Sequence, residues 1–197
     1  MPKTQSTLGN SLGVHYFYAF ITFVVVMMLP FEDGWQHHWR LSSAAFFSEP
    51  WRLISAHFTH LNYMHAFTNC IGMVCIFVVS HKQVSLKSWS VISVYLIALI
   101  DCSLYLRSDN WFYSGSSSLV IGWCSFGILV VSQYSRLIQV VTLICLGVAL
   151  LFTKTPDYLI QYSGATTQHW VAFTGGILGA IVLLAIRHWN AKHVKIA

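Results

Sequence analysis

Six apolar runs, each bounded by polar or turn residues, limit the folds open to this chain more than any other feature. They cover residues 14–31, 61–79, 89–106, 117–131, 137–152 and 169–186. Only 9% of the 197 residues are charged, whereas soluble domains carry about 25%. So few charges cannot cover a water-facing surface, and runs of this length are typical of membrane spans. We therefore predict an all-α polytopic membrane protein with six transmembrane helices in a single domain, 1–197.

The distribution of charges predicts the orientation of these spans. One set of loops and termini carries seven basic residues and no acidic one: Lys3, Lys82, Lys87, Arg136, Arg187, Lys192 and Lys195. The other set mixes Arg40, Arg52, Arg107 and Lys154 with five acidic residues. The positive-inside rule places the first set, and with it both termini, in the cytoplasm. Because the basic residues are scattered singly, they indicate no nucleic-acid partner.

Two of the six segments are unusual for membrane spans. The fourth contains an apolar run of only 13 residues, 119–131, or about 20 Å of helix, where a hydrocarbon core of about 30 Å must be crossed. We expect this short helix to begin below the outer surface, with the serine-rich stretch 114–118 at membrane depth. The second segment opens with His57, His60, Asn62, His65 and Asn69. Polar residues at this density within a membrane predict a functional site.

The polar residues include the parts needed for acyl transfer. Ser117 stands at the head of the fourth segment, where helix N–H groups are unpaired, and His169 at the head of the sixth. His65 and Asn69 share one helix face because they are four residues apart. A serine nucleophile, a histidine base and such donors form the usual machinery of acyl transfer. Small residues at Ser118, Gly122, Ala172, Gly175, Gly176, Gly179 and Ala180 would let the fourth and sixth helices approach closely.

The order and spacing of these residues resemble the rhomboid family of intramembrane serine proteases. Three motifs carry the likeness: Trp51-Arg52 followed by His60, His65 and Asn69; Gly115-Ser116-Ser117; and His169 followed by Gly176. The chain has Ser118 and Ala172 where the family usually has glycines, and Ile121 where it often has an aromatic residue or histidine. The resemblance covers the whole six-helix core, in which the short fourth helix carries the nucleophile.

The resemblance implies a Ser117–His169 dyad without an acidic third member. The oxyanion would be bound by the Ser117 N–H with His65 and Asn69, while Gly115, Arg52 and Gly176 would support the site. Ser116 is the next candidate for the nucleophile. The family likeness implies substrates that are membrane-anchored proteins with a transmembrane segment, no cofactor and no metal. It also implies a bacterial inner-membrane location with the site open to the periplasmic side.

Several alternatives accompany this interpretation. The short form is similar to the rhombosortase subgroup, which is implied to trim Gly-Gly-containing C-terminal anchors. A catalytically inactive rhomboid relative that binds transmembrane segments is the second functional hypothesis. The clustered histidines could instead bind a metal or haem, although no HExxH motif accompanies them. Asp101 could pair with Arg107 or orient a histidine. The five cysteines lie in apolar stretches and are interpreted as packing residues.

Overall fold

The computed structural model describes residues 38–80, 82–131, 133–151 and 165–193, and this part of the chain is mostly helical. Its helices are α1 (Arg52–Ser55), α2 (Tyr63–Ser80), α3 (Leu86–Tyr105), α4 (Ser117–Val130), α5 (Arg136–Leu151) and α6 (Ala165–His193). Helices α2 to α5 match the second to fifth predicted segments to within three residues at each end. Helix α6 starts four residues earlier and ends seven later than predicted. The first predicted span, 14–31, lies outside the described residues.

Three helices are long and apolar enough to cross a membrane: Tyr63–Ser80, Leu86–Tyr105 and the stretch Thr166–His193 of α6. Their outward faces expose large apolar side chains such as Val78, Val94 and Ile181, which suit contact with lipid. Helices α4 and α5 are also apolar but have only 14 and 16 residues. The protein therefore has the helices of a membrane protein, while a crossing by all six segments stays a prediction.

The prediction of an all-α chain needs one small correction. Strand β1 (Leu41–Ser42) pairs antiparallel with β2 (Phe112–Tyr113), with Leu41 opposite Tyr113. The backbone groups of these loops need partners where they are buried, and Leu41 and Tyr113 are both buried. The pairing ties the segment before α1 to the segment before α4. It therefore fixes the loop that leads into the predicted nucleophile.

Helix α4 is central and packs against α2, α3, α5 and, most extensively, α6. Its core contacts include the buried side chains Leu96, Leu119, Phe126, Ala172 and Ala180. The N-terminal ends of α2, α4 and α6 lie together. Gly115, just before α4, lies against His65 of α2, and Ser117 of α4 contacts His169 of α6. Helices α3 and α5 therefore run in the opposite direction, as the alternating segments predicted.

The C-terminal end of α4 is buried at Val130 and Val131, although the chain becomes exposed by Gln133. Gln139 of α5 is 1% exposed, and its Nε2 donates a hydrogen bond of 2.6 Å to the carbonyl oxygen of Val131. Arg136 binds the Gln139 side-chain oxygen at 2.8 Å. Helix C-termini leave their last carbonyl groups without intrahelical donors, and buried carbonyl groups need partners. The amide of Gln139 supplies one, so α4 can be shorter than a full membrane span.

Candidate active site

Ser117 and His169 form a direct hydrogen bond across the α4–α6 interface. The Ser117 Oγ lies 3.0 Å from the His169 Nε2, although the residues are 52 positions apart. Ser117 is the first residue of α4, and His169 is the fifth residue of α6, one turn later than the sequence suggested. Both side chains are partly exposed. With the proton on Nδ1, the ring can accept the serine proton at Nε2, as a general base must.

A second serine–histidine pair lies beside the first. The Ser116 Oγ is 3.0 Å from the His60 Nε2, but Ser116 is fully buried and His60 is 2% exposed. A substrate carbonyl could not approach this hydroxyl without opening the protein. Of the two serines left open by the sequence, Ser117 is thus the accessible one, and Ser116 serves as a buried anchor at the start of α4.

Small residues bring α4 and α6 close enough for the dyad to form. A Cβ atom built on Gly176 would overlap the Gly122 carbonyl oxygen and the Ser125 hydroxyl. One on Gly122 would lie 3.0 Å from the Ala172 carbonyl oxygen. Ser125 is fully buried, and its hydroxyl lies 3.0 Å from the Gly122 carbonyl on α4 and 3.0 Å from the Phe173 carbonyl on α6. Ala172, where the resemblance predicts a glycine, still permits the 3.0 Å contact between Ser117 and His169.

His65 lies against the glycine that precedes the serines. Gly115 has φ of 121°, a conformation that favours glycine. A Cβ there would lie 2.6 Å from the His65 Cε1. His65 is held near the start of α2, where its backbone N–H donates to the Asn62 side chain at 2.8 Å, a helix-capping interaction. The absence of a side chain at 115 therefore lets the His65 ring lie next to the turn that leads to Ser117.

Asn69 lies one turn after His65 and is 7% exposed. Its amide Nδ2 is buried and has no hydrogen-bond partner among the residues that the structure describes. Buried amide donors normally have an acceptor. The unpaired Asn69 donor on α2, which packs against α4, is therefore free to bind an acceptor atom from outside the described residues. The Nδ1 atom of His169 is likewise buried without a partner in the described ranges. These observations fit a dyad and an oxyanion donor.

Arg52 has a different place from the other predicted site residues. It is 9% exposed and binds the Glu49 carboxylate at 2.7 Å and the Arg40 carbonyl oxygen at 2.9 Å. Ser55, in the same short helix α1, donates to the Trp39 carbonyl oxygen at 2.9 Å. Arg52 therefore stabilises the fold of the loop 39–55, and its contacts support the site indirectly through the β1–β2 pairing.

Sequence reasoning missed a buried polar relay, which we define as Asp101, His57 and Tyr113. Asp101 pairs with His57 at 3.1 Å, whereas Arg107 pairs with Asp109. Of the two roles considered for Asp101, orientation of a histidine is the one observed. Tyr113 connects this histidine to the loop before α4. No spacing in the sequence relates these three residues, because they come from α3, the segment after α1 and β2.

Burial also affects the titration of His60, outside the membrane-spanning helices. Burial, followed by the nearby charge of His65, lowers the pKa of His60 to about 4, against a weaker opposing contribution from a backbone hydrogen bond at Phe58. His60 is consequently neutral near pH 7. A neutral ring suits its place between Ser116 and the His65 ring, whose centroid is 5.2 Å away.

Within the described ranges, no group of three or more histidine, cysteine, aspartate or glutamate side chains is arranged to hold a metal ion. In comparisons with known proteins, no family model, curated protein or solved structure matches this chain. The assignment of the site therefore depends on the geometry of the chain itself.

Proposed function

We propose that this chain is an intramembrane serine protease of the rhomboid type, with Ser117 as nucleophile and His169 as general base. The observation that carries the proposal is the 3.0 Å contact between Ser117 Oγ and His169 Nε2. It joins two partly exposed side chains at the starts of apolar helices. The accessibility of this pair distinguishes it from the buried Ser116–His60 pair, and its geometry is the one that a serine nucleophile and its general base need for acyl transfer.

The chemistry follows from the placement of the groups. Ser117 Oγ attacks the substrate carbonyl carbon as His169 Nε2 takes the hydroxyl proton. His169 then returns this proton to the leaving amine, which gives an acyl-enzyme. A water molecule, activated by the same histidine, hydrolyses the ester and restores Ser117. The negative oxygen of each tetrahedral intermediate would accept hydrogen bonds from the Ser117 N–H, His65 and Asn69, in the manner of an oxyanion hole.

The substrates would be membrane-anchored proteins whose transmembrane segment enters from the bilayer and unwinds near the site. Residues that favour the unwound state, such as glycine and proline, make this unwinding less costly. By the charge distribution of the loops, the site opens to the periplasmic side of a bacterial inner membrane, with both termini in the cytoplasm.

Labelling with a fluorophosphonate probe tests the activated serine. We expect the purified wild type in detergent to be labelled, and Ser117→Ala and His169→Ala to abolish the labelling without loss of the folded state. Ser116→Ala is the matched control, since it removes a neighbouring serine that also contacts a histidine, and it should still be labelled. Loss of labelling in Ser116→Ala alone would make Ser116 the nucleophile. An unlabelled, folded wild type would instead indicate an inactive relative that binds transmembrane segments.

The rhombosortase role is a narrower form of the proposal and follows the resemblance to that subgroup. It predicts that cells carrying Ser117→Ala accumulate exported proteins that retain Gly-Gly-containing C-terminal anchors. Proteomic comparison with wild-type cells would measure this. Accumulation only of proteins without such tails would leave the protease and reject the subgroup.

A further inference from the structure

A relay of buried hydrogen bonds connects α3 to the turn that carries the nucleophile. The Asp101 Oδ1 lies 3.1 Å from the His57 Nε2, and the His57 Nδ1 lies 3.2 Å from the Tyr113 hydroxyl. The same hydroxyl donates to the Gly115 carbonyl oxygen at 3.1 Å. The relay residues are 7%, 0% and 6% exposed, respectively. The relay therefore ends on the backbone two residues before Ser117.

The proposed dyad chemistry uses none of these side chains. Asp101 is the one acidic residue in the described helices, and an ionisable group within a membrane helix is costly to retain. Its partner His57 is fully buried and Asp101 nearly so, which shields the pair from solvent. A buried network in which each member is satisfied holds its parts in one arrangement. This network fixes the position of the Gly115 peptide through the Tyr113 hydroxyl.

The hydrogen bonds that the relay can make depend on which of its oxygen and nitrogen atoms carry protons. Tyr113 has a single hydroxyl hydrogen and two nearby acceptors, the Gly115 carbonyl oxygen and the His57 Nδ1. Both contacts are hydrogen bonds at the same time only when Nδ1 itself carries a proton and donates to the Tyr113 oxygen, which leaves the tyrosine hydrogen for Gly115. In that state the His57 Nε2 shares a second proton with the Asp101 carboxyl group. Asp101 contacts the other ring nitrogen, so a proton on its carboxyl group leaves Nδ1 as the protonated nitrogen of a neutral His57 and directs the Tyr113 hydrogen towards Gly115.

The Gly115 carbonyl lies between two neighbours with hydrogen bonds of their own, from the Ser114 hydroxyl to the Thr59 carbonyl oxygen at 2.9 Å and between Ser116 and His60 at 3.0 Å. The Gly115 φ of 121° is a conformation that other residues rarely adopt, and the Gly115 N–H donates to the Ala56 carbonyl oxygen at 2.9 Å. Because the C=O and N–H of a planar trans peptide point in opposite directions, the bond from Tyr113 to the Gly115 oxygen also orients the Ser116 N–H. Burial first, and then the Asp101 charge, raise the pKa of Tyr113 more than the Ser118 hydroxyl lowers it, so the hydroxyl remains a donor.

We infer that Tyr113 is a positioning residue, whose hydroxyl is aimed by His57 and Asp101 at the Gly115 carbonyl and thereby sets the backbone turn that presents Ser117. The inference rests on the proposed function, since it concerns the same nucleophile. It assigns to Asp101 and His57 a role through Tyr113 and no contact with the substrate.

Tyr113→Phe tests the inference because it removes one oxygen atom and keeps the ring. We expect the maximal rate of fluorophosphonate labelling at Ser117 to fall about fivefold to tenfold, the effect of one lost hydrogen bond. The probe concentration for half-maximal rate should not change. Amide hydrogen exchange in the segment 113–119 should rise by a similar factor, with α3 unaffected. Tyr105→Phe, at a tyrosine that is 56% exposed, is the matched control and should leave both rates unchanged.

Two substitutions of Asp101 separate positioning from simple packing. In Asp101→Asn the side-chain amide can donate to the His57 Nε2, which keeps the proton on Nδ1, so labelling should stay within about threefold of the wild type. Asp101→Leu has a similar volume but no donor or acceptor, and it should lower the rate as Tyr113→Phe does. If Tyr113→Phe does not fold, this pair decides the question.

Labelling and exchange in Tyr113→Phe that both match the wild type would overturn the inference. So would equal rates in Asp101→Asn and Asp101→Leu. If the wild type is not labelled at Ser117, the proposed function fails. Amide hydrogen exchange in the segment 113–119 then tests the positioning of the turn independently of the labelling. In that case, unchanged exchange in Tyr113→Phe would reject the relay as well.

Discussion

Gly176 lies seven residues after His169 on α6, at the point where α6 crosses α4. Replacement by alanine would place a methyl group against the Gly122 carbonyl oxygen and the Ser125 hydroxyl, and 3.0 Å from the Gly122 carbonyl carbon. Ordinary contact begins at about 3.4 Å. Two of these atoms belong to the backbone of α4, so they cannot move aside as a side-chain end can. We therefore expect Gly176→Ala to push the two helices apart.

The size of the effect follows from this geometry. The overlap requires a separation of roughly 1 Å, and the site of overlap is about 10 Å along the helix from His169. A dyad distance of 3.0 Å would become about 4 Å, which is too long for a hydrogen bond. Misplacement of about 1 Å can lower a reaction rate about 100-fold. Overpacking costs about 1–3 kcal/mol, partly offset by about 1 kcal/mol of helix propensity gained over glycine.

The assay is the rate of fluorophosphonate labelling, measured with the thermal unfolding temperature in detergent. Gly176→Ala should lose about 100-fold in labelling rate while it unfolds only a few degrees lower. Gly147→Ala is the matched control, since a Cβ there meets nothing closer than the Phe173 ring at 3.7 Å. It should label like the wild type. Wild-type labelling in Gly176→Ala would refute the argument that close α4–α6 contact forms the dyad.

Three further predictions concern the same end of the bundle. Gly115→Ala should destabilise the protein by about 1–3 kcal/mol and slow labelling. The φ of 121° is strained for alanine, and the new Cβ would lie 2.6 Å from the His65 ring. An unchanged unfolding temperature would contradict this prediction. Asn69→Ala should slow substrate cleavage about 100-fold or more without unfolding, and normal turnover would remove Asn69 from the oxyanion site. The pKa of His60, lowered to about 4, lies below its unfolded value of about 6.5. The unfolded chain therefore binds this proton first, and the free energy of unfolding should fall as pH drops from about 6.5 to 4, by at most about 1.4 kcal/mol per unit; an equal slope in His60→Gln would assign the effect to other groups.

The helices were predictable because each depends on a local pattern. An apolar run bounded by polar residues specifies a membrane helix almost without regard to its neighbours, since the backbone must satisfy its own hydrogen bonds in lipid. The starts of α2 and α4 were predicted to within two residues. The small residues at Gly122, Ala172 and Gly176 predicted a close α4–α6 contact, which the structure confirms.

The β1–β2 pairing and the extension of α6 were not predictable in this way. Two-residue strands carry no periodicity, and the first turn of α6 contains the polar residues Thr166, Thr167 and Gln168, which an apolar run does not include. Gln139 likewise gave no signal in the sequence, although its side chain supplies the hydrogen-bond donor for the buried Val131 carbonyl oxygen after α4. Each of these features depends on contacts with a neighbouring element of the structure.

Composition and spacing were enough to predict apolar segments suited to a membrane, with a serine and a histidine at the heads of two of them. Such features depend on a single segment of the chain. The packing of the helices was needed to show which serine is accessible, since Ser116 and Ser117 differ in burial and in the histidine each contacts. The tertiary structure likewise brought Asp101, His57 and Tyr113 together, because a hydrogen bond over 3 Å depends on the packing of residues far apart in the chain.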